Sequence, residues 1–153
     1  VIPLFITKKE KKMLSEHAKV LDKLLVELHT EIREGRGDDK RADDIRDDMD
    51  KPWYNLRGEE LEIHNKASGD LYQIGKDEIL IPLEEGETLE SNTVEVLSNF
   101  LEKKWVKTLE SLRKHSNLTR LQILKMRASC YYELGYKEIS HAFDSAFRAE
   151  EQV

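Results

Sequence analysis

One cysteine, Cys130, stands in a chain of 153 residues. An internal disulfide needs two thiols and a cysteine-based zinc site needs more, so both are excluded, which suits a reducing compartment. Three prolines and seven glycines leave long stretches free of helix breakers, the composition of a helix-rich chain. The longest apolar run, the opening VIPLFI, falls far short of the roughly 20 residues that a membrane span needs. It also lacks the basic leader and the cleavage pattern of a signal peptide. The expectation is a cytoplasmic protein with no membrane partner. No glycine-rich phosphate loop, Gly-x-Ser-x-Gly elbow or His-x-x-x-His pair occurs in the sequence, so none of those motifs predicts a catalytic centre, a metal or a cofactor.

What is present is charge. Charged residues make up 37% of the chain and apolar residues 39%, with 31 Asp and Glu against 25 Lys and Arg. This length and composition fit one domain with a core of its own, a single helical domain over residues 1–153.

Apolar periodicity predicts an all-α bundle or array of five to six helices. Thr7-Lys8-Lys9-Glu10 has the form of a capping box and predicts a first helix from near Thr7. Its stripe is Leu14, Ala18, Leu21, Leu25, Leu28 and Ile32, with Gly35 and Gly37 as the stop. A shorter helix over 39–49 follows, with Ala42, Ile45 and Met49 inward. Pro52 then predicts a turn over Lys51 to Leu56. A third helix spans 58–74. The compact run Ile79 to Leu83, interrupted by Pro82, predicts a short extended segment that could pair with the opening run. A capping-box-like start at Asn92-Thr93-Val94-Glu95 predicts a long helix over 93–114, with Val94, Leu97, Leu101, Trp105, Leu109 and Leu112 on its inward side. The segment 118–134 is apolar on two faces and is expected at the centre of the bundle. Gly135 ends it, and a last helix follows on Ile139, Ala142, Phe143, Ala146 and Phe147.

The charge is unevenly placed. Residues 38–50 hold seven aspartates and three basic residues, giving an acidic N-terminal half, whereas 103–127 hold eight Lys and Arg against Glu110. In the acidic stretch, Asp43-Asp44-x-x-Asp47 is similar to the aspartate-rich motif of terpene and prenyl synthases. That resemblance implies magnesium shared with a diphosphate through Asp43, Asp44 and Asp47. The pairs Glu31-x-x-Glu34 and Asp47-x-x-Asp50 resemble the acidic motifs of nucleotide pyrophosphohydrolases of the MazG type. Against both stands the reading of a solvated helix face with local charge pairs, which we take as the expectation. In the basic stretch, Lys103, Lys107 and Lys114 fall on one arc of the predicted long helix. With Arg120 and Arg127 they form a candidate nucleic-acid face.

The remaining candidates are aromatic, thiol or imidazole groups. Trp53 and Tyr54, just after Pro52, form a candidate partner-binding anchor. Cys130 falls on an apolar face and reads as a buried thiol, with His141 across the following turn. His17 and His64 border apolar stripes. The stretch YYELGYKEISHAF resembles the first helix of a helix-turn-helix of the sigma-like type, with Asp144 where that turn carries glycine. Tyr131, Gly135, Tyr136, Ile139, Phe143 and Ala146 resemble one degenerate tetratricopeptide unit, which implies a helical hairpin. The sequence is therefore read first as a noncatalytic helical module whose partner is another protein. Nucleic-acid binding through 103–127 comes second, and a magnesium-dependent phosphohydrolase or diphosphate enzyme using 38–50 third.

Overall fold

The computed structural model describes residues 13–75 and 80–152, in which seven α-helices and no strand occur. They are α1 (Glu16–Arg33), α2 (Lys40–Tyr54), α3 (Gly58–Tyr72), α4 (Leu89–Leu101), α5 (Trp105–Leu112), α6 (Arg120–Glu133) and α7 (Lys137–Glu151). The pairs α6–α7 and α1–α2 pack most extensively. α1 also rests on α3 and α7, and α5 joins α4 to α6. None of these helices is long and apolar enough to cross a membrane.

The stripe expected for α1 faces the core through Ala18, Leu21, Leu25 and Leu28, and that of α2 through Ala42, Ile45 and Met49. α6 packs between α5 and α7, burying Ile123, Leu124, Met126, Ala128, Cys130 and Tyr131, whereas α1, which meets α2, α3 and α7, holds the central position expected for α6. The Tyr131 ring stacks on Phe143 of α7 at 5.7 Å.

A charged cluster lies inside this core. Asp70 of α3 accepts from Arg113 Nε at 2.8 Å and Nη2 at 2.9 Å, and from the Tyr131 hydroxyl at 2.6 Å. Arg127 Nη2 lies 3.9 Å from the same carboxylate, and its Nη1 donates to Gln73 Oε1 at 3.1 Å. Burial is tolerable here because the carboxylate meets a bidentate guanidinium and a hydroxyl at once. A second buried carboxylate, Asp22 of α1, accepts from the amides of Glu138 at 3.0 Å and Ile139 at 2.9 Å, at the start of α7.

Several expected boundaries move. Thr7 lies outside the described residues, and 13–15 are not helical. Instead Ser15 caps α1, accepting from Ala18 N while its hydroxyl donates to Glu60 Oε1 of α3 at 2.6 Å. Helix α2 does not stop before Pro52 but runs on to Tyr54. A proline so near the end removes a single bond to the carbonyl of Asp48, an exposed residue open to water, and Asn55 Nδ2 caps Lys51 O at 2.9 Å. Of the expected extended segment, Ile79 and the opening run lie outside the described residues. Ile81 makes an isolated bridge to Lys114, its amide donating to Arg113 O at 2.8 Å.

The largest departure explains the count of seven. The long helix expected over 93–114 is two helices. The first begins earlier, with Thr88 and Ser91 forming the capping box that the sequence suggested at Asn92 and Glu95. It ends at Leu101 in a turn where Lys103 N donates to Phe100 O at 3.1 Å and Lys104 N to Asn99 O at 2.9 Å. This is the Schellman pattern, and Lys103 holds its left-handed position at φ 60°. The ends of α1 and α6 use the same pattern with Gly35 and Gly135 in that position.

Candidate interaction surface

The break at Lys103 decides which way α4 faces. Its buried residues are Asn92 and Val96, not the expected Val94, Leu97 and Leu101. Asn92 Nδ2 donates to Ser111 O at 3.1 Å and to His115 O at 2.8 Å, locking that face onto α5 and the turn after it. At about 100° per residue, Val94, Leu97 and Leu101 lie on the opposite side of the helix. They are 61%, 43% and 79% exposed. Two apolar sets that would share a stripe on one continuous helix are thus separated: Leu109 and Leu112 go to the core, and Val94, Leu97 and Leu101 go to solvent.

Among the described residues nothing covers this stripe. Three adjacent aliphatic side chains at i, i+3 and i+7 form a patch on the order of 300 Å², the scale of the largest patch on an ordinary monomer. Isolated exposed leucines are common, but an aligned ridge of them is a helix-docking pattern. The signal was present in the sequence as the Val94, Leu97, Leu101 spacing. The same spacing also describes a core stripe, so only the turn after Leu101 separates the two meanings.

Trp53 and Tyr54 are exposed to 42% and 82%. Tyr54 stands in solvent. Trp53 is held: its indole N–H donates to Asn65 Oδ1 at 3.2 Å, and its ring meets His64 edge-on at 4.7 Å. Beside it opens a pocket of about 320 Å³ lined by residues that include Leu25, Leu28, Met49, His64 and Ser68. Ser68 Oγ lies 2.9 Å from His29 Nε2. Burial keeps His29 and His64 neutral, lowering both to about 4. A serine beside a neutral imidazole has the outline of a nucleophile and its base, but His29 Nδ1 is buried with no hydrogen-bond partner. No carboxylate orients the ring, and so depressed a basicity makes a weak base near neutral pH.

The metal candidates are dispersed on α2. Asp43 Oδ1 accepts from Arg46 at 3.1 Å, and Asp44 bonds Lys40 at 3.0 Å. Asp47 is exposed. Glu31 and Glu34 both pair with Arg36. No group of three or more His, Cys, Asp or Glu among the described residues is placed to hold a metal ion. Cys130 is fully buried, and desolvation pushes its thiol up to about 12, far from the range of a working nucleophile. His17 and His141 are exposed.

The basic segment does not present one face. Arg127 is 1% exposed and belongs to the core cluster with Arg113. Arg120 pairs with Glu150 at 2.7 Å and donates to the carbonyls of Gln73 and Ile74 beyond α3. Lys114 pairs with Glu87 at 3.2 Å, Lys104 with Glu102 at 3.0 Å and Lys125 with Asp144 at 3.6 Å. Lys103 and Lys107 are exposed, with no ion pair among the described residues; Lys103 lies in the α4–α5 break and Lys107 within α5. The arc expected for Lys103, Lys107 and Lys114 required one continuous helix.

Comparisons of the chain with protein-family models, with curated proteins and with solved structures gave no match in any of the three.

Proposed function

We propose that this chain is a noncatalytic helical module that binds another protein through the outer face of α4. The observation that carries this reading is the ridge of Val94, Leu97 and Leu101, which is apolar, aligned and turned away from the chain's own core. Apolar surface of this kind gains about 25 cal/mol for each Å² removed from water, a gain available only to a molecule that docks there. Tyr54, with Trp53 beside it, offers a second and smaller contact point on α2. The tetratricopeptide resemblance falls on α6 and α7, and one helical hairpin supplies no groove by itself, so the reading does not rest on it.

The test is affinity capture from native lysate with the parent chain and with Leu97→Glu combined with Leu101→Glu. Both residues are exposed, so the variant keeps its helical circular dichroism. A partner recovered in near-stoichiometric amount by the parent and lost by the variant is the expected result. Identical recoveries, together with identical hydrodynamic behaviour of the two proteins, would remove the basis for the proposal.

A further inference from the structure

Helices α2 and α3 both pack on α1 but scarcely on each other, and the wedge between them is the pocket of about 320 Å³ beside Trp53. That volume falls at the lower end of the roughly 300–1,000 Å³ of small-molecule sites, and the space between bundle helices is a usual place for one. Leu25 and Leu28 of α1 and Met49 of α2 give it an apolar lining drawn from the core.

Two polar groups of α3, one helical turn apart, line the same cleft. His64 is 4% exposed, and neither of its ring nitrogens has a hydrogen-bond partner among the described residues. Burial lowers it to about 4, so near neutral pH it offers one N–H and one bare nitrogen. Ser68 is shared with His29, whose Nδ1 is buried without a partner. An orphaned buried N–H is the rarer and costlier arrangement, so the His29 proton sits on Nε2 and is donated to Ser68 Oγ at 2.9 Å. The Ser68 hydroxyl proton then has no acceptor among the described residues.

Among the described residues that line the cleft, only Arg46 and Asp50 are charged, one turn apart on α2. Arg46 Nη1 donates to Gly37 O at 2.7 Å and to Asp43 Oδ1 at 3.1 Å, which holds the guanidinium while Nε and Nη2 stay without partners among the described residues. The pair with Asp43 is solvent-exposed and therefore weak. Asp50 accepts no hydrogen bond among the described residues. A polyanion would meet Asp50 and a polycation would meet Arg46, whereas a molecule with one ammonium and one carboxylate satisfies both.

We propose that the α2–α3 cleft binds a free phenolic α-amino acid of the tyrosine type, its hydroxyl between His64 and Ser68 and its ammonium and carboxylate on Asp50 and Arg46. A phenol both donates and accepts: it gives its proton to the bare nitrogen of His64 and takes that of Ser68. Its ring lies among Leu25, Leu28 and Met49. The site shares no residue with the α4 ridge and stands independently of it.

Titration calorimetry of the full chain with tyrosine tests this, with the imidazole resonances of His64 as a local readout. The expected dissociation constant is submillimolar, as ordinary ligand efficiencies give a molecule of this size. Phenylalanine should bind at least about tenfold more weakly, because it leaves the two polar groups of α3 unpaired. N-acetyltyrosine amide, which presents the phenol as a protein chain would but without either charge, should be weaker by a similar factor. Asp50→Asn, at an exposed position, should weaken tyrosine several-fold and leave the deaminated analogue, hydroxyphenylpropionate, unchanged. Ser68→Ala and His64→Phe should each bring tyrosine down towards phenylalanine, and Ser68→Ala serves alone if the histidine variant loses its helical circular dichroism. Absence of heat and of any shift at His64 with millimolar tyrosine overturns the proposal. So does phenylalanine or the uncharged amide binding as tightly as tyrosine, or tyrosine affinity indifferent to both Asp50→Asn and Ser68→Ala.

Discussion

Replacing Asp70 by asparagine keeps the size of the side chain and removes its charge. In the parent, that carboxylate receives two bonds from Arg113 and one from the Tyr131 hydroxyl, with Arg127 at 3.9 Å. The asparagine leaves the Arg113 guanidinium without the carboxylate it grips with two bonds, and removes a negative charge 3.9 Å from the enclosed Arg127. Breaking a buried pair from one side costs about 3–5 kcal/mol, because the remaining charge stays desolvated. For a domain of this size each kcal/mol moves the melting temperature by about 2–4 °C, so the expected fall is roughly 6–20 °C. Tyr131→Phe removes one bond to a charged acceptor and should cost less, about 1.5–3 kcal/mol. The assay is guanidinium unfolding followed by circular dichroism at 222 nm, supported by thermal melts. A loss below about 1 kcal/mol for Asp70→Asn, the level of an exposed pair, would refute the argument that this carboxylate neutralises the core. A larger loss for Tyr131→Phe than for Asp70→Asn would refute it as well.

Two further outcomes follow from particular backbone and titration features. Lys103 is an exposed residue in the left-handed region at φ 60°, a conformation costing a side-chain-bearing residue about 1–2 kcal/mol; Lys103→Gly should stabilise by about 0.5–1 kcal/mol in urea unfolding, the greater freedom of unfolded glycine offsetting the rest, and any loss of stability contradicts the strain. Burial raises the Asp22 carboxyl to about 6, so its contribution is complete below about pH 4 and is lost as pH rises through 6, whereas His29 and His64, lowered to about 4, contribute fully above about pH 6.5 and lose it as pH falls through 4. Two histidines outweigh one aspartate, so melting temperatures should fall from pH 6.5 to pH 4; Asp22→Asn should steepen that fall and His64→Phe should flatten it, and curves that merely shift in parallel exclude this linkage.

Much of the helical layout is legible in the sequence because local rules act locally. The spacing of Leu21, Leu25 and Leu28 defines the inner face of α1, and Gly35 and Gly135 mark stops that the backbone uses. The end of α4 is not legible, because a lysine occupies the position where glycine gives the signal. Without that stop, Val94 to Leu112 reads as one stripe, and the exposed ridge is mistaken for core. The proline at 52 misleads in the opposite sense, since a breaker in the last turn costs little. Arg113, Arg120 and Arg127 look like a basic surface until their partners arrive from α3 and α7; the partner of Arg113 lies 43 residues away, a distance invisible to any window of helical periodicity. The Trp53 and Tyr54 anchor is legible only as a pair, since nothing in the sequence tells that the tryptophan is tied to Asn65 while the tyrosine stands free in solvent.

The carboxylate of Asp22 joins stretches of chain separated by 116 and 117 residues. The residue at the N-cap of α7, Tyr136, gives no side-chain acceptor of its own, so the first turn of the last helix is completed by the first helix described. Closing so long a loop is slow relative to forming a local turn, although its entropy grows only with the logarithm of length. During synthesis α1 emerges first and its acceptor waits until α7 is made. Fraying of the first turn of α7 therefore gives up both bonds to Asp22 at once and loosens α7 from α1, while α1 stays packed on α2 and α3.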